Sequence, residues 1–296
     1  MTTEGQNPAS AKVVLITGAS SGIGAAMAKV AAKKGYSLAL TARRGDRLKR
    51  LAETLDVETL VIPAAIEDPA SPERMIDEVI SRFGRLDVLI NNAGFGLPSL
   101  FAASNPDEIR NQLEVNMIAP IVLARHAIPH LIKRKGVIIN IGSAITAIAN
   151  TGLGAYGPSK AGLAYFSSAL RRELLHQGVQ VCLVEPGPVK TEFFDAFTRL
   201  GPTPGSYHAM LDSPAGWMSA PVDDVANRII RLIERPRRRL SVRRRFVWPW
   251  RLIGALFQIC PPLGDLAVSA VVRIYDGQAP RTRTQSRSES HAASSE

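Results

Sequence analysis

Six short, unbroken apolar runs alternate along this chain with stretches of helical composition, and that alternation restricts the fold more than any other feature. Val13-Val14-Leu15-Ile16-Thr17 is continuous and β-branched, the pattern of a strand buried on both faces. A glycine-punctuated turn follows, then alanine-rich helical composition from Ile23 to Lys34. Ser37 to Ala42 reads as the second strand, Asp46 to Leu55 as a helix and Thr59 to Ala64 as the third strand. Ser71-Pro72-Glu73 starts another helix, with serine as N-cap and proline at the first helical position. Asp87 to Gly94 is a fourth strand running into a loop, and Asn105-Pro106-Asp107-Glu108 sets Asn and Glu at capping-box spacing. Val137 to Ser143, a helix from about Ala155 to His176, and Val179 to Gly187 complete the series. Strand–helix alternation of this kind requires right-handed crossovers, hence a parallel sheet covered on both faces. The expectation is a single α/β domain, a doubly wound parallel sheet, over residues 11–245. A flexible stretch, 1–10, precedes it; an apolar, amphipathic extension (246–277) and a disordered Ser/Arg/Thr-rich tail (278–296) follow.

The first strand empties into Thr17-Gly18-Ala19-Ser20-Ser21-Gly22-Ile23-Gly24. In a doubly wound sheet this turn sits at the carboxyl end of strand one, where a backbone free of Cβ atoms can approach a pyrophosphate. The helix behind it offers unpaired N–H groups and a positive dipole end to the anion. The spacing is G-x-x-x-G-x-G rather than G-x-G-x-x-G. Four further features follow in order: Asn91-Asn92-Ala93-Gly94, Asn116, Ser143, and Tyr156-Gly157-Pro158-Ser159-Lys160, with Pro186-Gly187-Pro188-Val189-Lys190-Thr191 after the sixth strand.

This ordered set resembles the short-chain dehydrogenases/reductases, over about residues 11–235: T-G-x-x-x-G-x-G, N-N-A-G, an Asn, a Ser thirteen residues before Y-x-x-x-K, then P-G. The resemblance implies a Rossmann-type fold and a nicotinamide cofactor. Its contacts would come from Gly18, Ser20, Ser21, Gly22, Ile23, Gly24, Asn92, Ala93, Gly94, Pro186, Gly187, Val189 and Thr191. It implies catalysis by Asn116, Ser143, Tyr156 and Lys160, with Lys160 also holding the nicotinamide ribose hydroxyls and Asn116 anchoring a water that relays protons from Tyr156. A homodimer or homotetramer is implied in the same way. The residue types make chemical sense on their own terms. A phenol with an ordinary pKa near 10 is a poor base at neutral pH, and Lys160, one helical turn on, lies on the same face. Its charge favours the phenolate. Ser143 can donate to a carbonyl oxygen on which negative charge develops. With all catalytic positions filled, an enzyme is expected; the rival is a non-catalytic NADP-binding or membrane-surface scaffold of the same fold.

Cofactor choice turns on Leu40-Thr41-Ala42-Arg43-Arg44 at the end of strand two. NAD enzymes place Asp or Glu there for the ribose 2′-hydroxyl. Here Ala42 stands at that position and Arg43 follows, suited to gripping phosphate and stacking on adenine, with Arg44 assisting. NADP(H) is the expected cofactor. Family members also carry Asp after strand three to meet the adenine amino group; this chain has Ala65, which leaves backbone groups or Asp68 for that task.

Between Thr191 and Pro221 lie three phenylalanines, Tyr207, Trp217 and several aliphatics among Gly201, Pro202, Pro204 and Gly205. Residues 190–220 are read as a substrate lid, apolar enough for a lipophilic carbonyl or alcohol; the alternative is that these side chains complete the core. His126 and His130 share a helical face, but no acidic motif accompanies them and no metal site is expected. Cys182 reads as a small core residue and Asp87 as a structural anchor of strand four. Two cysteines exclude a disulfide framework. The polar first residues carry no secretory signal, so a cytoplasmic protein is expected. The uncharged stretch Gly136 to Ser159 is too interrupted by Gly, Asn and Pro to span a membrane.

The formal net charge of +10 is concentrated. Residues Arg235 to Arg251 hold eight arginines and no acid, followed by Leu252 to Cys260, mostly apolar, with Trp248 and Trp250 alongside. Arginine, tryptophan and a short apolar helix together compose an interfacial segment, so residues 235–260 are read as meeting an anionic membrane surface, which would make the protein peripheral. Packing of this extension over the active site or a partner subunit stays open. Nucleic acid ranks last, because the flank is Leu-Ile-Gly-Ala-Leu-Phe rather than polar.

Overall fold

A computed structural model describes residues 11–97, 99, 101–147, 152–193, 220–242, 252–256, 259, 260, 262 and 266. Seven parallel strands run in the order β3-β2-β1-β4-β5-β6-β7. They are β1 (Val13–Thr17), β2 (Ser37–Ala42), β3 (Thr59–Pro63), β4 (Val88–Asn91), β5 (Val137–Ile141), β6 (Gln180–Glu185) and β7 (Arg239–Ser241). The helices are α1 (Gly22–Lys33), α2 (Gly45–Ala52), α3 (Ser71–Phe83), α4 (Pro106–Leu113), α5 (Ala119–Arg134), α6 (Tyr156–Glu173) and α7 (Val222–Ile230). The order reverses between β1 and β4, and the crevice beyond that switch point is where a doubly wound sheet takes its ligand.

Each strand splits its side chains between two apolar layers. Val14, Ile16, Leu38, Leu40, Val88 and Ile90 face α1 and α7 with Met27, Val225 and Ile229. Val13, Leu15, Ala39 and Leu89 face α3 and α5 with Met75, Val79, Leu123 and Leu131. Burying one such leucine stabilises the fold by about 2 kcal/mol, which is why the central strands appear in sequence as unbroken apolar runs. Cys182 lies in the first of these layers, where burial pushes its thiol pKa up.

The seventh strand was not foreseen. Arg239–Ser241 pairs with β6 through Leu183↔Arg239, Val184↔Leu240 and Glu185↔Ser241. Arg239 of the arginine run therefore belongs to the sheet, its Nε 3.5 Å from the buried Glu185 carboxylate, while Arg235, Arg237 and Arg238 before it are exposed and outside any strand. The start of α3 also differs by one residue: Ala70 is the N-cap and Ser71 the first helical residue. Asp68 does the capping, accepting from Ala70 N at 3.2 Å and from Ser71 Oγ at 3.1 Å. At α4 the expected cap is present, Asn105 Oδ1 accepting from Asp107 N at 2.9 Å.

Asp87 fastens the amino ends of the strands. Its carboxylate accepts from Val13 N at 2.9 Å, from Arg85 Nη2 at 2.6 Å and from Arg134 Nε at 3.3 Å. Burial pushes its pKa up, but the bonds from Arg85, Val13 N–H and Arg134 outweigh that and leave it below the ordinary carboxylate value.

Helices α4 and α5 join through a π-helical turn, Glu114–Ile118. The resulting stretch, Pro106–Arg134, is the one described helix long and apolar enough to cross a membrane. Its residues Leu123, Ala124, Ala127 and Leu131 are fully buried against the sheet, as in the core helix of a globular domain. The chain divides into two units, Met1–Gly254 and Ala255–Glu296. The proposed N-terminal stretch 1–10, the lid beyond Phe193, Arg243 to Arg251 with both tryptophans there, and the tail lie outside the described residues.

Candidate active site

Glycine at two positions decides how the first turn can close. Gly18 has φ +66°, a conformation that favours glycine, and a Cβ there would stand 2.8 Å from Ala93 Cα. A Cβ on Gly24 would collide with Gly18 O and lie 2.7 Å from Asn92 Nδ2. The Asn-Asn-Ala-Gly turn after β4 is thus packed directly on the glycine turn after β1. Polar bonds hold the two together: Thr17 Oγ1 accepts from Asn92 N and Ala93 N, both at 2.9 Å, and Asn92 Nδ2 donates to Thr17 O at 2.8 Å. No side chain caps the start of α1, and its first turn holds no acid. Its free N–H groups and positive dipole end are left facing the crevice.

A cavity of about 470 Å³ opens along this crevice, within the range of cofactor sites. It is lined by Gly18, Ser20, Ser21, Gly22, Ile23, Arg43, Arg44, Asn92, Ala93, Gly94, Ser143, Tyr156, Lys160, Pro186, Gly187, Val189 and Thr191. All the positions singled out from sequence are therefore brought together, except that Gly24 and Asn116 stand one layer behind. Asn116 is fully buried; its Nδ2 donates to Phe95 O at 2.8 Å and Ser159 Oγ at 3.1 Å, and its Oδ1 accepts from Phe95 N at 2.9 Å. The amide's donors are both engaged in the fold, so Asn116 ties the loop carrying Phe95 to Ser159 of α6.

At the reacting end, Ser143 hydrogen-bonds the Tyr156 phenol. Burial pushes the Tyr156 pKa up, and the Ser143 bond offsets this only in part. The expected depression by Lys160 is not found. Lys160 instead donates from Nζ to Ile141 O at 2.9 Å, and burial brings its own pKa down to about 8. Tyr156 stands in a small apolar cluster with Leu153, Ile145 and Phe193, its ring centroid 5.8 Å from that of Phe193.

At the other end, Arg44 Nη2 donates to Ser21 Oγ at 2.7 Å and Ser20 Oγ at 3.2 Å, and its Nη1 reaches Glu192 at 2.9 Å. Arg43, largely exposed, lies 3.5 Å from Glu67. Asp68, considered for adenine recognition, is turned to the start of α3; Glu67 lines the cavity in its place. Sequence reasoning also passed over Phe95, Val115 and Thr41. Thr41 is among the lining residues, and its hydroxyl is buried without a hydrogen-bond partner. Among the described residues no His, Cys, Asp or Glu cluster could hold a metal.

The short chain dehydrogenase family model matches residues 12–199, which span both the glycine turn and the Tyr156–Lys160 pair. The chain belongs to that family. It is 40% identical over 186 residues to 11-beta-hydroxysteroid dehydrogenase-like 2 of Arabidopsis thaliana, a match covering 61% of this chain and 60% of that protein. The match thus spans about three fifths of that relative's length. An alcohol dehydrogenase from the archaeon Thermococcus sibiricus, complexed with 5-hydroxy-NADP, superposes with a TM-score of 0.66 at 26% identity, over 78% of this chain and 94% of its own. A 3-ketoacyl-(acyl-carrier-protein) reductase from Brucella melitensis, complexed with NADH, gives 0.70 at 27% identity, over 78% and 96%. The general chemistry of this short-chain dehydrogenase family is hydride exchange between a nicotinamide cofactor and a carbonyl or alcohol. The solved relatives carry both forms of the cofactor.

Proposed function

We propose that this chain is an NADP(H)-dependent oxidoreductase acting on a carbonyl or secondary alcohol of a lipophilic substrate, with Tyr156 as general acid/base. The observation that carries the reading is the Ser143–Tyr156 bond, with Lys160 on the next helical turn, opening into the same cavity as the glycine turn. The residues present fit a dinucleotide: the Gly18/Gly24 turn is closed to any Cβ, and the N-terminus of α1 is uncapped. When bound, the cofactor supplies or accepts the hydride. Arg43 and Arg44 would hold a 2′-phosphate together with Ser20, and the Gly18–Gly24 backbone, Asn92 to Gly94, Pro186, Gly187, Val189 and Thr191 would hold the rest.

The protonation states favour reduction at neutral pH. A phenol is protonated at neutral pH, and burial, which raises the Tyr156 pKa, keeps it so, able to donate to a carbonyl oxygen as negative charge develops there. Ser143, hydrogen-bonded to the same phenol, is placed to donate to that oxygen too. Lys160, at about 8, is mostly an ammonium at pH 7, able to donate to ribose hydroxyls and to stabilise the phenolate left after transfer. The apolar neighbours Ile145, Leu153 and Phe193 support a lipophilic substrate, and so does the hydroxysteroid dehydrogenase-like relative. Tyr156→Phe is expected to abolish reduction of steroid, aldehyde and lipid-ketone candidates while NADPH binding stays within about threefold. Unchanged turnover would overturn the assignment, and equal affinity for NADH and NADPH in the parent enzyme would overturn the cofactor choice.

A peripheral membrane location in the cytoplasm is the second part of this reading. Leu252, Ile253, Leu256 and Ile259 are exposed, Ile259 at 82%, directly after the arginine run; Arg239 is set aside, being paired with Glu185. Flotation with anionic but not neutral liposomes is expected, and loss of flotation after truncation at Val242, which keeps β7 and removes Arg243 to Arg251 with the apolar residues after them. A chain that stays unbound in both mixtures defeats it.

A further inference from the structure

Both arginines expected to grip a 2′-phosphate already hold a carboxylate of this chain, and at one of them the arrangement is elaborate. Glu192 follows Thr191 on the segment leaving β6, between the cavity-lining Thr191 and Phe193, and it reaches Arg44, which also lines the cavity, and Arg47 of α2 just behind it. Its Oε2 accepts from Arg44 Nη1 at 2.9 Å, and both of its oxygens accept from Arg47 Nη1, at 2.7 and 2.9 Å. The rest of the Arg44 fork is bonded to Ser20 and Ser21. One oxyanion held by two guanidiniums, with two hydroxyls beside them, is the donor set of a phosphate-monoester site. The guanidiniums correspondingly hold the Glu192 carboxyl below its ordinary pKa, so it is anionic at neutral pH.

We propose that Arg47 is a third member of the cofactor's 2′-phosphate site and that Glu192 is its built-in competitor, which the phosphate must displace. The inference rests on the NADP(H) reading and deepens it. A phosphate monoester carries up to two negative charges and three acceptor oxygens, and so can take both arginines from a single carboxylate. A cofactor without that phosphate leaves the Glu192 clasp in place. The competition lowers the affinity for the phosphorylated cofactor and speeds its release. It also unties residues 191–193, whose Phe193 ring packs on Tyr156, so arrival of the phosphate is felt at the reacting end.

The test is calorimetric titration of the full chain with adenosine 2′,5′-bisphosphate and with 5′-AMP, which differ by the 2′-phosphate alone. Glu192→Gln is expected to tighten the bisphosphate about 3- to 10-fold and to leave 5′-AMP within twofold. Arg47→Gln is expected to weaken the bisphosphate about 5- to 10-fold, again sparing 5′-AMP. Glu192 and Arg47 side chains are about half exposed, so both variants should fold, and an unchanged melting temperature verifies it. If the parent chain binds the two probes equally, the NADP(H) reading itself fails. If it prefers the bisphosphate but Glu192→Gln leaves the ratio unchanged, or weakens both probes alike, Glu192 is a strut and the competitor is refuted while NADP(H) stands.

Discussion

Replacing Lys160 with methionine should make the enzyme inactive and more stable. The side chain is 4% exposed, and its ammonium has one protein partner, the Ile141 carbonyl, with no carboxylate partner among the described residues. Burial brings its pKa from 10.5 to about 8. At 1.36 kcal/mol per pH unit, holding the proton inside costs about 3 kcal/mol. This cost is fully present below pH 8, where both folded and unfolded chains carry the proton. It fades as pH rises from about 8 to 10.5, because only the unfolded chain then remains protonated and stability increases with pH. Methionine keeps the length without the charge and forfeits the bond to Ile141 O, worth about 1 kcal/mol. The net gain at pH 7 is about 2 kcal/mol, or about 4–8 °C in melting temperature for a domain of this size. Thermal melts of the cofactor-free protein, followed by circular dichroism at pH 7 and pH 10, would read it. The variant should melt higher at pH 7 and within about 2 °C of the parent at pH 10, with no turnover at either. A variant less stable at pH 7, or a gain that does not shrink with pH, would refute the reasoning.

Two further changes test the scaffold around this site. Asp87→Asn leaves Arg85 and Arg134 without their carboxylate and should cost about 2–3 kcal/mol in urea unfolding. The contribution of Asp87 is present above the ordinary carboxylate pKa of 3.8 and is lost as pH falls through its lower folded value, so parent and variant should converge in acid. Gly24→Ala places a methyl against Gly18 O and Asn92 Nδ2; NADPH binding by fluorescence titration should weaken at least about tenfold, and binding at parental affinity would show that the turn can give way.

The first six strands were readable because their residues are mostly apolar, the central ones being covered on both faces, so that no phase has to be guessed. β7 escaped for the opposite reason. Arg-Leu-Ser at the sheet edge has no apolar run, and what makes it a strand is backbone pairing to β6 together with the Arg239–Glu185 contact, 54 positions apart. The same holds at the adenosine end of the cavity. Asp68 and Glu67 are neighbours in sequence, yet one caps α3 and the other lines the cavity, a choice set by the direction the chain leaves β3. The Arg44–Glu192 and Arg47–Glu192 pairs join residues about 145 positions apart and leave no periodic trace.

The motif Tyr-x-x-x-Lys identifies the reacting groups but not their protonation, and here the two diverge. Helical spacing places Lys160 beside Tyr156 and suggests a phenol made more acidic by a neighbouring charge. The folded chain buries both: Lys160 loses part of its hold on the proton, and Tyr156 gains. Both shifts follow from desolvation, which penalises the charged form of either group. A tyrosine protonated at neutral pH is an acid waiting for a carbonyl rather than a base waiting for an alcohol. Oxidation of an alcohol should therefore lag behind reduction at pH 7. It should gain as pH rises toward the range where the phenol ionises, for as long as Lys160, with its pKa near 8, keeps enough charge to support the phenolate.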